Sequence, residues 1–71
     1  MKNLRNLEVG KKAVIADFNI ENKRRILDLG IIPDTEIEAV FASPFGDPVA
    51  YFVRGTVIAI RSEDAKNIYI K

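Results

Sequence analysis

The chain has no cysteine, no histidine and no tryptophan in its 71 residues. That rules out a disulfide framework, a zinc finger, an iron–sulfur cluster and any catalytic site built on thiol or imidazole. Excess charge of either sign is also missing. Lysine plus arginine is 11 and aspartate plus glutamate is 10, for a net charge of +1. A dedicated nucleic-acid binder carries a basic excess or stripe, so the balance argues against one. No segment approaches the ~20 apolar residues of a membrane-spanning helix. The opening Met1-Lys2-Asn3-Leu4-Arg5-Asn6-Leu7 is broken by charge and amide groups and does not resemble a signal peptide. The four glycines, Gly10, Gly30, Gly46 and Gly55, stand apart, so no glycine-rich phosphate loop exists.

What remains is a small, apolar-rich chain. Hydrophobic residues make up 48% of it, enough for a packed core. Residues 1–71 are expected to form a single domain, and a start at Met1 suggests a free-standing protein. A chain of this length leaves much of its surface wet. With no disulfide or Cys/His metal site to staple it, the core stands alone, which leaves room for a weak homodimer.

Short strands punctuated by turns run along the sequence. Leu4 and Leu7 form an N-terminal arm ended by Gly10. Lys12–Phe18 is the first strand, with Val14, Ala16 and Phe18 on one face and Ala13, Ile15 and Asp17 on the other. Asn19 can cap a helix over residues 20–29, with Glu21 at its positive end. Ile26, Leu27 and Leu29 turn inward, and Lys23, Arg24 and Arg25 mostly outward. Gly30 takes the left-handed C-cap position. Ile31-Ile32 re-enters the core and Pro33-Asp34 turns the chain.

Thr35–Ala42 is a strand with Ile37, Ala39 and Phe41 on one face and Glu36 and Glu38 in water. Ser43-Pro44-Phe45-Gly46-Asp47-Pro48 is a hairpin loop, in which Asp47 and Pro48 serve the turn. Val49–Val53 returns with Val49, Tyr51 and Val53 on one face. Arg54-Gly55 is a tight turn into Thr56–Arg61. Ser62 can cap one helical turn, and Ile68 and Ile70 alternate in a last strand. The architecture is mostly β: a five-stranded, partly open barrel of the Src-homology-3-like kind. One short helix follows the first strand and one helical turn precedes the last.

Three segments in series resemble the FeoA family. Arg25-Ile26-Leu27-Asp28-Leu29-Gly30-Ile31-Ile32-Pro33 is similar to its leucine–glycine–proline stretch. Ser43-Pro44-Phe45-Gly46-Asp47-Pro48 is similar to its Pro-x-Gly-Asp-Pro loop. Arg54-Gly55-Thr56-Val57-Ile58-Ala59-Ile60-Arg61, leading to Asp64-Ala65-Lys66-Asn67-Ile68, resembles its third motif, and Leu7, Gly10, Ala13 and Ile15 fit its opening. The resemblance spans nearly the whole chain. It implies a small cytoplasmic accessory protein of bacterial ferrous iron uptake that acts with FeoB, the membrane transporter with a GTP-binding cytoplasmic part. Similar barrels are attached to metal-responsive repressors, which is one alternative role; a small nucleic-acid-binding barrel is another. One position departs from the family pattern: Asp34 stands where glycine is usual, and a local change of turn is expected there.

No catalytic set is evident, so an enzyme is not expected. No cofactor is implied. Glu36, Glu38 and Asp34 could suit a hard cation, but ferrous sites generally want an imidazole or thiolate beside the carboxylates, so these three read as solvated surface. The candidate partner contacts are Arg24, Arg25, Leu29, Phe45 and Tyr51. The arginines could meet an acidic surface, or lie solvated and paired four residues away, Arg25 with Glu21 and Arg24 with Asp28. Phe45, at a hairpin tip, is either a binding anchor or a lid over the barrel mouth. Tyr51 and Tyr69 could line a groove, or sit at the core edge with wet hydroxyls. Leu27, Leu29 and Ile31 could border an apolar cleft beside the helix. The expected partner is a protein; neither nucleic acid nor direct membrane insertion is expected.

Overall fold

The computed structural model describes residues 2–18, 23–28 and 30–71; for Lys23, Arg25 and Ile26 it describes the backbone alone. Asn19, Glu21 and Leu29, and hence the capping, pairing and packing expected of them, lie outside the described residues. The strands are β1 (Lys12–Phe18), β2 (Glu36–Ala42), β3 (Val49–Val53), β4 (Thr56–Ile60) and β5 (Ile68–Ile70). Helix α1 (Lys23–Asp28) follows β1, and α2 (Ser62–Ala65) precedes β5. A 3₁₀ turn, Leu4–Asn6, forms the N-terminal arm. Asn3 caps it by accepting from the Arg5 N–H, while the Asn6 side chain accepts from the Asn3 N–H at 3.1 Å.

The five strands make one antiparallel sheet in the order β4-β3-β2-β1-β5. The sheet curls into a barrel and does not close, as expected from its many short strands. The first half of β1 pairs with β2 (Ala13 opposite Ile37) and the second half with β5 (Phe18 opposite Ile68). One strand therefore serves both walls of the barrel. Across the outer edge of β5, the Ile70 N–H donates to the Lys2 carbonyl at 2.9 Å and Asn3 bridges Tyr69.

Leu4, Ile15, Ile31, Ile37, Ala39, Tyr51, Val53, Ile60, Ile68 and Ile70 fill the barrel. Each fully buried isoleucine or leucine contributes roughly 1.5–3 kcal/mol of apolar transfer. The period-2 alternation places Ile37 and Ala39 inside as expected. It fails in two places, each at an irregularity of pairing. The register shifts between Ala39 and Phe41, so Phe41 pairs with Ala50, out of step with inward-facing Tyr51, and is 59% exposed instead of buried. The register also shifts between Ile15 and Asp17, so Ile15 and Phe18, expected on opposite faces, are both buried.

The turns follow the residues that can make them. Gly30 has φ 87° and donates to the Leu27 carbonyl at 2.9 Å, ending α1 as the sequence suggests. Arg54 and Gly55, at φ 52° and 80°, form the two-residue connection that matches strand twist. Asp34 corrects one expectation. It adopts φ 66°, so aspartate takes the left-handed geometry itself. Its N–H donates to the Ile15 carbonyl at 2.7 Å, and its carboxylate accepts from Lys71 Nζ at 2.7 Å.

Candidate functional site

One end of the barrel carries a cavity of about 360 Å³ between the N-terminal arm, the β2–β3 loop and α2. Tyr51, Ile60 and Ala65 are the buried residues of its wall, and Arg5, Val9, Phe45, Gly46 and Asp47 are the exposed ones. Leu7 and Val49 are half-buried between them. The floor is thus apolar, with a cationic side chain at the rim.

The loop that borders the cavity is tied down at both ends. Its own turn is closed by Gly46 N–H donating to the Ser43 carbonyl at 2.8 Å and Ser43 N–H donating to the Pro48 carbonyl at 3.2 Å. The Asp47–Pro48 peptide is cis. Asp47 does more than serve this turn. Its carboxylate accepts from the Ser62 N–H at 2.8 Å and from Ser62 Oγ at 3.3 Å. Arg61 occupies the N-cap position of α2 and makes no side-chain cap. Ser62, expected to be the cap, is instead the first helical residue, and its amide is satisfied by an aspartate from another element.

The bonds between Asp47 and Ser62 fix the segment on which Phe45 stands. Phe45 is 95% exposed. It is therefore presented to solvent at the cavity rim and does not fold over the barrel mouth. Tyr51 has the opposite fate. Its side chain is only 2% exposed, and its hydroxyl donates to the Leu4 carbonyl over a long 3.5 Å. Burial, and secondarily the Asp47 carboxylate, push this hydroxyl above its ordinary value of 10.0. Tyr51 thus supplies the cavity floor, and its hydroxyl is not wet.

The other expected contacts are dispersed. Arg24 is exposed on α1 and forms no ion pair with Asp28; the described ion pairs are Arg61–Glu63 at 3.9 Å and Lys71–Asp34 at 2.7 Å. Arg25's side chain and Leu29 are outside the described residues. Leu27 is 39% exposed and Ile31 fully buried. Another cavity, of about 290 Å³, lies beside Gly30, Val53, Arg54, Thr56 and Ile58; neither Leu27 nor Ile31, expected to border a cleft beside the helix, lines it. Phe45 and Tyr51 share the first cavity; Arg24 is on neither cavity wall.

Sequence reasoning missed Arg5, Leu7 and Val9. The readable signal was Val9, an apolar residue directly before the turn glycine Gly10, where no strand could bury it. Among the described residues no group of three or more acidic side chains gathers to hold a metal ion.

The FeoA domain model matches residues 2–71. None of the curated proteins matches the chain. The FeoA-like protein of Clostridium acetobutylicum superposes with a TM-score of 0.90 at 31% identity, over 100% of this chain and 87% of that one. FeoA of Stenotrophomonas maltophilia, solved with zinc and described as a procaryotic SH3 domain protein, gives 0.84 at 26% identity, over 100% and 91% of the two chains. A manganese-dependent transcriptional repressor gives 0.84 at 15% identity, over 97% of this chain and 40% of its own, a likeness of fold alone. The architecture is therefore the SH3-like barrel that the strand pattern suggested.

Proposed function

We infer that this chain, which belongs to the FeoA domain family, is an accessory protein of bacterial ferrous iron uptake. On this reading it works in the cytoplasm by docking on the cytoplasmic part of a FeoB-type transporter. The observation that carries the docking mode is Phe45, 95% exposed on a loop anchored to α2, beside an apolar-floored cavity. An aromatic held rigidly in water loses little conformational entropy on binding and gains a large buried area, which is the profile of an interface anchor. The partner would bury the Phe45 ring and place an apolar side chain of its own over Tyr51 and Ile60.

Arg24 and Arg25 are assigned a steering role, meeting an acidic region of the transporter domain. Leu29 is assigned to the same helix-side contact from its sequence position. The reading gives the chain no catalytic step and no iron-carrying role, because with neither histidine nor cysteine it lacks the ligands that ferrous sites favour. Among the described residues no helix is long and apolar enough to cross a membrane, and contact with the membrane system would run through the partner.

Retention of the transporter's purified cytoplasmic domain on the immobilised chain tests the reading. Capture that persists at physiological salt supports it. Absence of capture at every salt concentration and nucleotide state, with both proteins folded, would overturn it.

A further inference from the structure

The sheet has two edges, and among the described residues only the β5 edge is covered. At β5 the N-terminal segment lies alongside, through Lys2 and Asn3. At β4, no described residue outside β3 bonds to the backbone of Thr56–Ile60. Thr56-Val57-Ile58-Ala59-Ile60 contains no charge, no proline and no glycine. These are the usual devices by which proteins stop an edge strand from pairing, and all are missing here.

The direction of the free groups follows from the hairpin. The Arg54–Gly55 connection makes Val53 and Thr56 the closing hydrogen-bonded pair, so by alternation Tyr51–Ile58 and Val49–Ile60 are also hydrogen-bonded pairs. The N–H and C=O of Val57 and Ala59 therefore point away from β3, to the open edge. Their side chains face outward, Val57 being 56% exposed and Ala59 also exposed. Val57 lies opposite Phe52, and Ala59 opposite Ala50, which in turn lies opposite Phe41. Phe41, Phe52 and Val57 thus make an exposed apolar patch that ends at the uncovered edge.

We propose that β4 is a self-association edge: a second copy of this chain pairs with it antiparallel, about a two-fold axis at Ile58. In that register Val57 of each copy exchanges both backbone hydrogen bonds with Ala59 of the other, using the four donors and acceptors left free on each strand. Ile58 faces Ile58, and Thr56 faces Ile60. The exposed apolar row then runs through Phe52 and Val57 of one copy to Ala59 of the second, with Phe41 beyond the buried Ala50. The register and the apolar row are both complementary to themselves, which favours a second copy over a foreign strand. A strand of this length covers far less than the ~800 Å² per partner of a standard interface, so the dimer is weak and concentration-dependent. The outward patch of Phe41, Phe52 and Val57 lines no part of the Phe45 cavity, although β4 ends at Ile60 in the cavity wall.

Sedimentation velocity from micromolar to millimolar concentration tests this, combined with amide exchange on the same samples. The expected result is a mass rising from that of the 8.0 kDa chain toward twice that value, with Val57 and Ala59 amides gaining protection as it rises. Ala59→Pro removes an outward donor without touching the β3 ladder, and Val57→Lys places charge on the edge. Each should keep the circular dichroism spectrum and remain monomeric, while Phe45→Ala associates like the parent. A parent chain monomeric at millimolar concentration overturns the proposal. So does a dimer that Val57→Lys and Ala59→Pro leave intact, or one in which the Val57 and Ala59 amides stay unprotected.

Discussion

The Asp47 carboxylate accepts the Ser62 amide at 2.8 Å and the Ser62 hydroxyl at 3.3 Å, so the β2–β3 loop and helix α2 are held as one unit. The bond joins residues 15 apart in sequence and sits beside the cavity that Phe45 overlooks. The rigidity of the loop at the cavity rim therefore depends on one aspartate.

Removing that acceptor should cost stability in the manner of a lost helix cap. Asp47→Ala is expected to destabilise the fold by about 1 kcal/mol in urea denaturation. Asp47→Asn, which keeps an oxygen acceptor, should lose roughly half as much or less. Equal losses for the two variants would mean that the charge matters and the Ser62 bond does not.

Tyr51 makes a pH-dependent prediction. Its hydroxyl pKa is raised above 10.0 in the folded chain, first by burial and then by Asp47. A raised folded value favours the protonated form. Its contribution to stability is complete below the unfolded pKa and is lost as pH rises through the folded pKa. Stability should therefore fall above about pH 10, and Tyr51→Phe should remove that part of the fall. The chain has two tyrosines, so Tyr69→Phe isolates Tyr51 in an ultraviolet tyrosinate titration. Adding Asp47→Ala should lower the Tyr51 midpoint and leave it still raised by burial.

Asp34 holds a left-handed conformation, at φ 66°, that most side chains resist. Asp34→Val should destabilise the chain by about 1–2 kcal/mol, because a β-branched residue is poorly tolerated there. Asp34→Gly relieves the backbone but loses the exposed Lys71 contact. The two effects should offset to within about 1 kcal/mol. Thermal or urea denaturation of the pair against the parent measures both.

Much of the barrel could be read from alternation and turn chemistry. Ile37 and Ala39, Tyr51 and Val53, and Ile68 and Ile70 lie inside where period 2 places them. Gly30 and Arg54-Gly55 mark turns through backbone demands that few residues meet. Phe41 and Phe18 could not be placed, because a bulge adds a residue to one strand without a distinctive residue type. The Asp47–Ser62 bond was hidden for another reason. Aspartate in a proline-flanked loop has an adequate local explanation, and only the closed barrel brings it to α2. The site divided along the same line. The hairpin tip made Phe45 a candidate but left open whether it stands in water or folds over the barrel mouth, whereas the rim formed by Arg5 and Val9 exists only once the N-terminal arm docks. For Tyr51 both alternatives, a groove wall and a wet core edge, stayed open because strand position alone does not tell how far the arm covers it; it lines the cavity and its side chain is buried.

The account rests most directly on Phe45 as the anchor for the transporter. Isothermal titration of the chain and of Phe45→Ala against the purified cytoplasmic domain of the FeoB-type transporter, with and without guanine nucleotide, tests this. Phe45 is 95% exposed, so the substitution should leave stability within about 0.5 kcal/mol. It is predicted to weaken binding by about tenfold or more, the loss of an interface anchor. Equal affinity for the parent and Phe45→Ala, both folded, would contradict the account.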